Sequence, residues 1–139
     1  MKVIRIMALA IVLMAGATQM ASAQNIQVPK AYLFGFAASF NDSTVFFTDI
    51  QQVDSVWVTK KKSFLAGRSN YSYQLRDYCE RKMDLPKRTC VVVSALKRKE
   101  AEKKYKKMMK KYIGKKGKNY DVRYIPSSDF QFHAVDMSD

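Results

Sequence analysis

The sequence predicts an α+β domain, in which a small mixed or antiparallel β-sheet of four to five strands carries two helices packed on one face. Short aromatic and β-branched runs, bounded by turn residues, predict the strands. Two longer segments repeat their apolar residues at intervals of three and four, which predicts the helices. The predicted order is β-β-(β)-α-β-α-β-(β), where brackets mark the weaker patterns.

The first strands are predicted in the aromatic third of the chain. Ala31 to Phe40 is apolar on both faces and is followed by Asn41-Asp42-Ser43, so we expect a buried strand that ends in a turn. Thr44 to Ile50 resumes β-type residues at once, which predicts a hairpin with a loop of three or four residues. Val53 to Thr59 is either a third strand or an irregular extension.

The middle of the chain predicts a helix followed by a strand. Tyr71, Leu75 and Cys79 recur at helical spacing, so a first helix is expected from about Asn70 to Met83. Thr89 to Leu96 is a β-branched run without alternation, which predicts a central strand covered on both faces.

The second helix is predicted from Lys97 to about Ile113, because Gly114 follows as a typical helix terminator. We expect its apolar stripe to face the core, although the same stripe fits a membrane interface; the stripe comprises Ala101, Tyr105, Met108, Met109, Tyr112 and Ile113. Tyr120–Ile125 and Phe130–Ala134 alternate apolar and polar residues and predict the last strands.

Residues 1–23 predict a cleavable signal peptide. A basic start precedes an unbroken apolar run, Ile6–Ala17, which is shorter than the roughly 20 residues of a membrane-spanning helix. Ala21-Ser22-Ala23 before Gln24 matches a signal-peptidase site, and no cysteine follows that would direct lipidation. We therefore expect residues 24–139 to form a single periplasmic or secreted domain.

Positive charge is concentrated in one segment of the chain. The full sequence has 25 Lys or Arg against 12 Asp or Glu, a formal net charge of +13. Residues 60–118 carry 21 of the basic residues and 5 of the acidic ones. If this segment folds compactly, one side of the molecule is strongly positive.

The lysines of the second helix are the candidate binding residues. Two interpretations stay open: an anion-binding face, or a solvated face with ordinary pairs such as Glu100 with Lys104 and Glu102 with Lys106. Lysine suits diffuse attraction better than bidentate recognition. The candidate polyanion-binding residues are Lys99, Lys103, Lys106, Lys107, Lys110 and Lys111.

Export restricts the partners that this charge could attract. It argues against nucleic acid and favours anionic polysaccharide, lipopolysaccharide or peptidoglycan, with peripheral membrane contact as a further possibility. The number of aromatics favours a bulky core. Tyr71 and Tyr73 cannot both face that core from one helix, so one of them is a candidate surface aromatic.

Signals for catalysis, a metal or a cofactor are weak. His133 is the single histidine, so a histidine-rich metal site is excluded, and no phosphate-binding glycine loop is present. A triad of His133, Asp136 and a serine can be written down, but nothing in the sequence places these residues together. We expect a non-enzymatic binding domain with no cofactor, and the alternative is a small periplasmic hydrolase.

Two cysteines, Cys79 and Cys90, remain after removal of the predicted signal peptide. An even number in an exported chain permits a disulfide, whereas two buried free thiols are the other interpretation. Because Leu85-Pro86 folds the chain back between them, we expect the two residues to face one another.

Two resemblances to known families bear on function. YLFGFAASFNDSTVFFTDIQ, NYSYQLRDY and RTCVVVSALKRKEAEKKY together resemble small exported uncharacterised proteins of Bacteroidota, which implies an envelope protein. TCVVVSALKRKEAEKKYKKMMKKY followed by NYDVRYI resembles the second half of the sporulation-related repeat domain, which implies peptidoglycan binding. Ser94-Ala95-Leu96 departs from the glycine-containing turn usual in that family.

Overall fold

The computed structural model describes residues 24–113 and 120–138. In chain order, its elements are β1 (Asn25–Ala38), β2 (Thr44–Thr48), β3 (Gln51–Thr59), α1 (Arg68–Lys82), β4 (Thr89–Ala95), α2 (Arg98–Ile113) and β5 (Asp121–Ile125). The predicted α+β class, with five strands in a mixed sheet and two helices, is confirmed. The predicted signal peptide and the helix stop at Gly114 lie outside the described residues. Neither described helix has the length and hydropathy to cross a membrane.

Strand β1 forms the centre of the sheet. Along one edge, its N-terminal part pairs antiparallel with β3 and its C-terminal part pairs antiparallel with β2. Along the other edge, its C-terminal part pairs antiparallel with β4. Phe36 pairs with Phe47 and Leu33 pairs with Gln51, so two residues of β1 oppose three residues, 48–50, between β2 and β3. This mismatch is a β-bulge. Strand β5 extends the sheet parallel to β2.

The prediction that Thr89–Leu96 forms the central strand is wrong. Within the described residues β4 pairs with β1 alone, which leaves it at the edge of the sheet. Its β-branched run has a different cause, because both helices pack against this strand. Val92 lies in the core beneath α1, and Val93 pairs with Phe34 on the opposite face.

The two helices lie on opposite faces of the sheet, so the prediction that both pack on one face is wrong. Leu75 of α1 lies directly above Gly35, whereas Tyr105 of α2 contacts the ring of Phe34 edge-on at a centroid distance of 5.1 Å. Neighbouring residues of a strand point to opposite faces. Because both faces of β1 are apolar, each face requires its own helix.

The apolar stripe of α2 packs into the core, as predicted. Its aromatic and methionine side chains cover Phe36, Val45 and Phe47, and Ala101 is fully buried. Ile113, the last residue of the predicted stripe, is exposed instead. The core on the α1 face includes Tyr71, Leu75, Cys79, Phe46, Phe130 and Phe132.

The hairpin between β1 and β2 has a five-residue loop, Ser39–Ser43, which is longer than predicted. Asp42 accepts a hydrogen bond from the backbone N–H of Thr44 at 3.0 Å, so its turn-forming role is confirmed. The buried side chain of Arg88 binds this loop, donating to the Asp42 carboxylate and to the Thr44 carbonyl, each at 2.7 Å. These contacts join the loop to the start of β4.

Residues 126–138, here called the C-terminal strap, begin with a turn at 127–129 and then cross the α1 face. The predicted strand Phe130–Ala134 is wrong, because this segment does not join the sheet. Its alternation is nevertheless real, since Phe130 and Phe132 are buried. The side-chain amide of Gln51 takes the place of a neighbouring strand by donating to the Phe130 carbonyl at 2.9 Å and accepting from the Phe132 N–H at 2.8 Å.

Candidate functional site

The outer face of α2 carries the predicted polyanion-binding residues, and all six of these lysines are exposed. Lys99, Lys103, Lys106 and Lys110 follow each other at intervals of four, three and four, so they form one row opposite the core-facing stripe. At 1.5 Å per residue the row is about 16 Å long. Lys107 and Lys111 lie beside it. We call these six residues the lysine row.

Carboxylates do not neutralise this row within the described part of the chain. The ion pair on α2 joins Arg98 to Glu102 at 3.2 Å, and none of the ion pairs among the described residues includes a member of the lysine row. The expected pairs of Glu100 with Lys104 and of Glu102 with Lys106 are not formed. The charges of the row therefore face solvent.

The inner side of α2 fixes the row in place. Tyr105 and Tyr112 pack against Phe47 and Phe36, with the shortest centroid distance, 4.8 Å, between Phe36 and Tyr112. Burial, with smaller contributions from Tyr124 and Asp49, raises the pKa of Tyr105 to about 12. The hydroxyl therefore stays neutral at physiological pH and adds no negative charge beside the lysines.

A second basic feature lies along the open edge of β4. There a cleft of about 650 Å³ lies between the β3–α1 connection, the end of β4 and the start of α2. Its basic lining residues are Lys62, Arg68, Lys97 and Lys104, and Glu100 is the acidic one. Lys60-Lys61-Lys62 has the composition of an exposed connection, and nothing in the local sequence indicates that it meets the edge of β4.

Five aromatic side chains are exposed among the described residues, namely Phe40, Phe64, Tyr73, Tyr120 and Tyr124, and Tyr120 packs on Tyr112 of α2 at a centroid distance of 5.0 Å. Tyr71 is buried and Tyr73 is 62% exposed, so the prediction that one of the two reaches the surface is confirmed. Phe40 is fully exposed at the tip of the β1–β2 loop. Phe64 is 62% exposed and lines the cleft at β4 together with the basic residues of that cleft.

The two cysteines meet between α1 and β4. They lie 4.5 Å apart and are not bonded, with Cys79 fully buried and Cys90 partly buried. The neighbouring Cys90 thiol lowers the pKa of Cys79, whereas the approach of Cys79 together with burial raises the pKa of Cys90. The fold therefore brings the two cysteine residues close together, and the disulfide itself stays a prediction.

The residues considered for catalysis do not converge in the described structure. His133 is exposed, and its backbone N–H and carbonyl are both bound by the side-chain amide of Gln74 at 2.9 Å. Asp136 is exposed as well, and a hydrogen bond from Ser138 lowers the pKa of its carboxyl. No cluster of three or more metal-ligating side chains occurs in the portion of the chain that the structure describes.

Comparisons with family models, curated proteins and solved structures found no match for this chain. The resemblances stated from the sequence therefore stay predictions.

Proposed function

We propose that this protein is an exported, non-enzymatic binding domain whose lysine row attracts anionic components of the cell envelope or cell-wall glycans. The observation that supports this proposal is the row itself: six exposed lysines on one helix face, without carboxylate partners among the described residues. Lysines spaced three or four apart repel one another by a few tenths of a kcal/mol per pair. A bound polyanion would remove that repulsion.

The length and chemistry of the row favour a polymer over a single small anion. The row is about 16 Å long, which exceeds the Debye length of about 10 Å at 0.1 M salt. A single small anion at one end is therefore screened from the lysines at the other end, whereas a chain of repeated negative groups can contact all of them at once. Flexible lysines adapt to irregular charge spacing, whereas arginine would favour one bidentate group. The hydrolase alternative has less support, because His133 is exposed and held through its backbone.

Replacing Lys103, Lys106, Lys107 and Lys110 with glutamine should strongly weaken retention on an anionic polysaccharide matrix. The interaction is Coulombic, so retention of the wild-type protein should also fall steeply between 0.1 M and 1 M salt. Glutamine is a good helix former and these positions are exposed, so the thermal midpoint should change little. Elution salt concentration and a melting curve measure the two effects.

The matched control replaces four exposed basic residues outside the row, Lys30, Lys60, Lys87 and Arg123, with glutamine. This variant has the same net charge as the first. Retention that falls equally in both variants would show that net charge alone matters, and full retention of the first variant would contradict the proposal.

Protein recovered from the native envelope is expected to begin at Gln24, because the predicted signal peptide ends at Ala23. Intact-mass measurement without reductant tests this prediction and the cysteine pair together. The mature chain should be lighter by two hydrogens than after reduction if Cys79 and Cys90 are joined, as their close approach permits. Recovery of the uncleaved 139-residue chain would contradict export.

A further inference from the structure

The cleft at the edge of β4, rather than the lysine row, has the features of a binding site for a single small group. It measures about 650 Å³, which is within the range of small-molecule sites. It combines several cations with an exposed aromatic ring and one flanking acid, Glu100. The row on α2, by comparison, lies on the convex outer surface of a helix.

Two of the cations in the cleft are held in place by the sheet edge. Arg68 donates from Nε to the Val92 carbonyl at 2.8 Å, and Lys104 donates from Nζ to the Ser94 carbonyl at 2.9 Å. Val92 and Ser94 are alternate residues of β4, so both carbonyls point outward from the unpaired edge. Neither cation forms an ion pair with a carboxylate among the described residues.

This anchoring leaves binding capacity free. A guanidinium has five N–H donors and an ammonium has three, so a single bond to a carbonyl uses only part of each group. The side chains have also lost conformational freedom already, which lowers the entropic cost of ordering them around a ligand. Arg68 and Lys104 are therefore prepared to bind an anionic group that enters the cleft.

Phe64 supplies the apolar wall of the same cleft. Its ring is 62% exposed, with the Lys62 ammonium 5.8 Å from the ring centroid. Partly exposed Leu96 also lines the cleft. An aromatic face beside hydrogen-bond donors suits a sugar ring, because the C–H face of the sugar can pack on the aromatic ring while its anionic group accepts hydrogen bonds.

We propose that this cleft binds one anionic sugar residue, a pyranose ring that bears a carboxylate or phosphate group. The ring stacks on Phe64, and the anionic group accepts hydrogen bonds from Arg68 and Lys104. The inference rests on the proposed function, because the sugar would be one unit of the polymer that the lysine row attracts. The cleft would select for the sugar ring as well as for its negative charge, whereas the lysine row attracts by charge alone.

The test is calorimetric titration of the mature chain with trigalacturonate, a short carboxylated sugar, and with neutral maltotriose. Trigalacturonate should bind and maltotriose should not. Arg68→Gln should weaken trigalacturonate binding about tenfold, the scale of one lost charge-assisted hydrogen bond. Phe64→Ala removes the stacking surface and should weaken binding by about as much. Lys30→Gln with Lys87→Gln, a control pair of exposed lysines outside both the row and the cleft, should change that affinity less than about twofold.

Retention on immobilised polygalacturonate separates this inference from the proposed function. Retention that depends on the row, without binding of trigalacturonate, would overturn the cleft site and leave the proposed function standing. Binding of trigalacturonate that depends on Phe64 and Arg68, without dependence of polymer retention on the row, would support the cleft and contradict the role of the row. Equal binding of maltotriose, or unchanged affinity in a folded Phe64→Ala variant, would overturn the cleft proposal.

Discussion

Replacing Gly35 with alanine is expected to lower the free energy of unfolding by about 1–3 kcal/mol, the usual cost of overpacking a core. A Cβ at this position would lie 2.6 Å from Leu75 Cδ2 and 3.0 Å from the ring of Phe132. Leu75 is fully buried, so relief of the clash requires movement of α1 or of the C-terminal strap. Urea denaturation followed by circular dichroism measures the loss, with the m-value unchanged.

A double-mutant cycle identifies the contact responsible. Leu75→Ala alone should cost about 2–5 kcal/mol through the cavity that it leaves. With both substitutions, the methyl of the new alanine fills part of that cavity, so the combined loss should fall short of the sum by about 0.5–3 kcal/mol.

The control for this cycle combines Gly35→Ala with Val58→Ala. Val58 pairs with Ile26, nine residues from Gly35 along β1, so the two sites are about 30 Å apart. These two losses should be additive. If the losses in free energy of unfolding from Gly35→Ala and Leu75→Ala are also additive, the contact between these two residues is not the cause of the destabilisation by Gly35→Ala.

Gln51→Met should reduce the free energy of unfolding by about 2–4 kcal/mol, because it leaves two buried backbone groups without partners. The Gln51 side chain is buried and bonds both the Phe130 carbonyl and the Phe132 N–H. Methionine keeps the length of the side chain but provides neither the donor nor the acceptor. Urea denaturation and hydrogen exchange at the Phe132 amide should both report the loss.

Gln74→Met is the matched control, since Gln74 makes the same double contact with the backbone of His133. These hydrogen bonds are exposed, so water can replace the amide and the loss should stay below about 1 kcal/mol. If Gln51→Met and Gln74→Met lower the free energy of unfolding equally, burial of the Gln51 hydrogen bonds is not what makes them stabilising.

The sequence alone was enough to predict features that depend on local periodicity. Helix α2 was predicted at Lys97–Ile113 and is found at Arg98–Ile113, because its apolar stripe and its lysines occupy separate faces of a single helix. That separation also predicted which lysines are exposed. The same reasoning predicted that one of Tyr71 and Tyr73 lies on the surface, since residues two apart on a helix point in different directions. The structure shows that Tyr73 is the exposed one.

Tertiary structure decided the features that depend on which segments meet. An alternating run such as Phe130–Ala134 buries the same side chains whether a strand or a glutamine amide binds its backbone, so its pattern could not predict its partner. The β-branched run of β4 likewise reflects burial by two helices and not its position in the sheet. The cleft exists only because Lys62 and Arg68 meet Lys104, which is distant from both in sequence, at the unpaired edge of β4. Strand pairing and the choice of sheet face are long-range, and local periodicity carries no information about them.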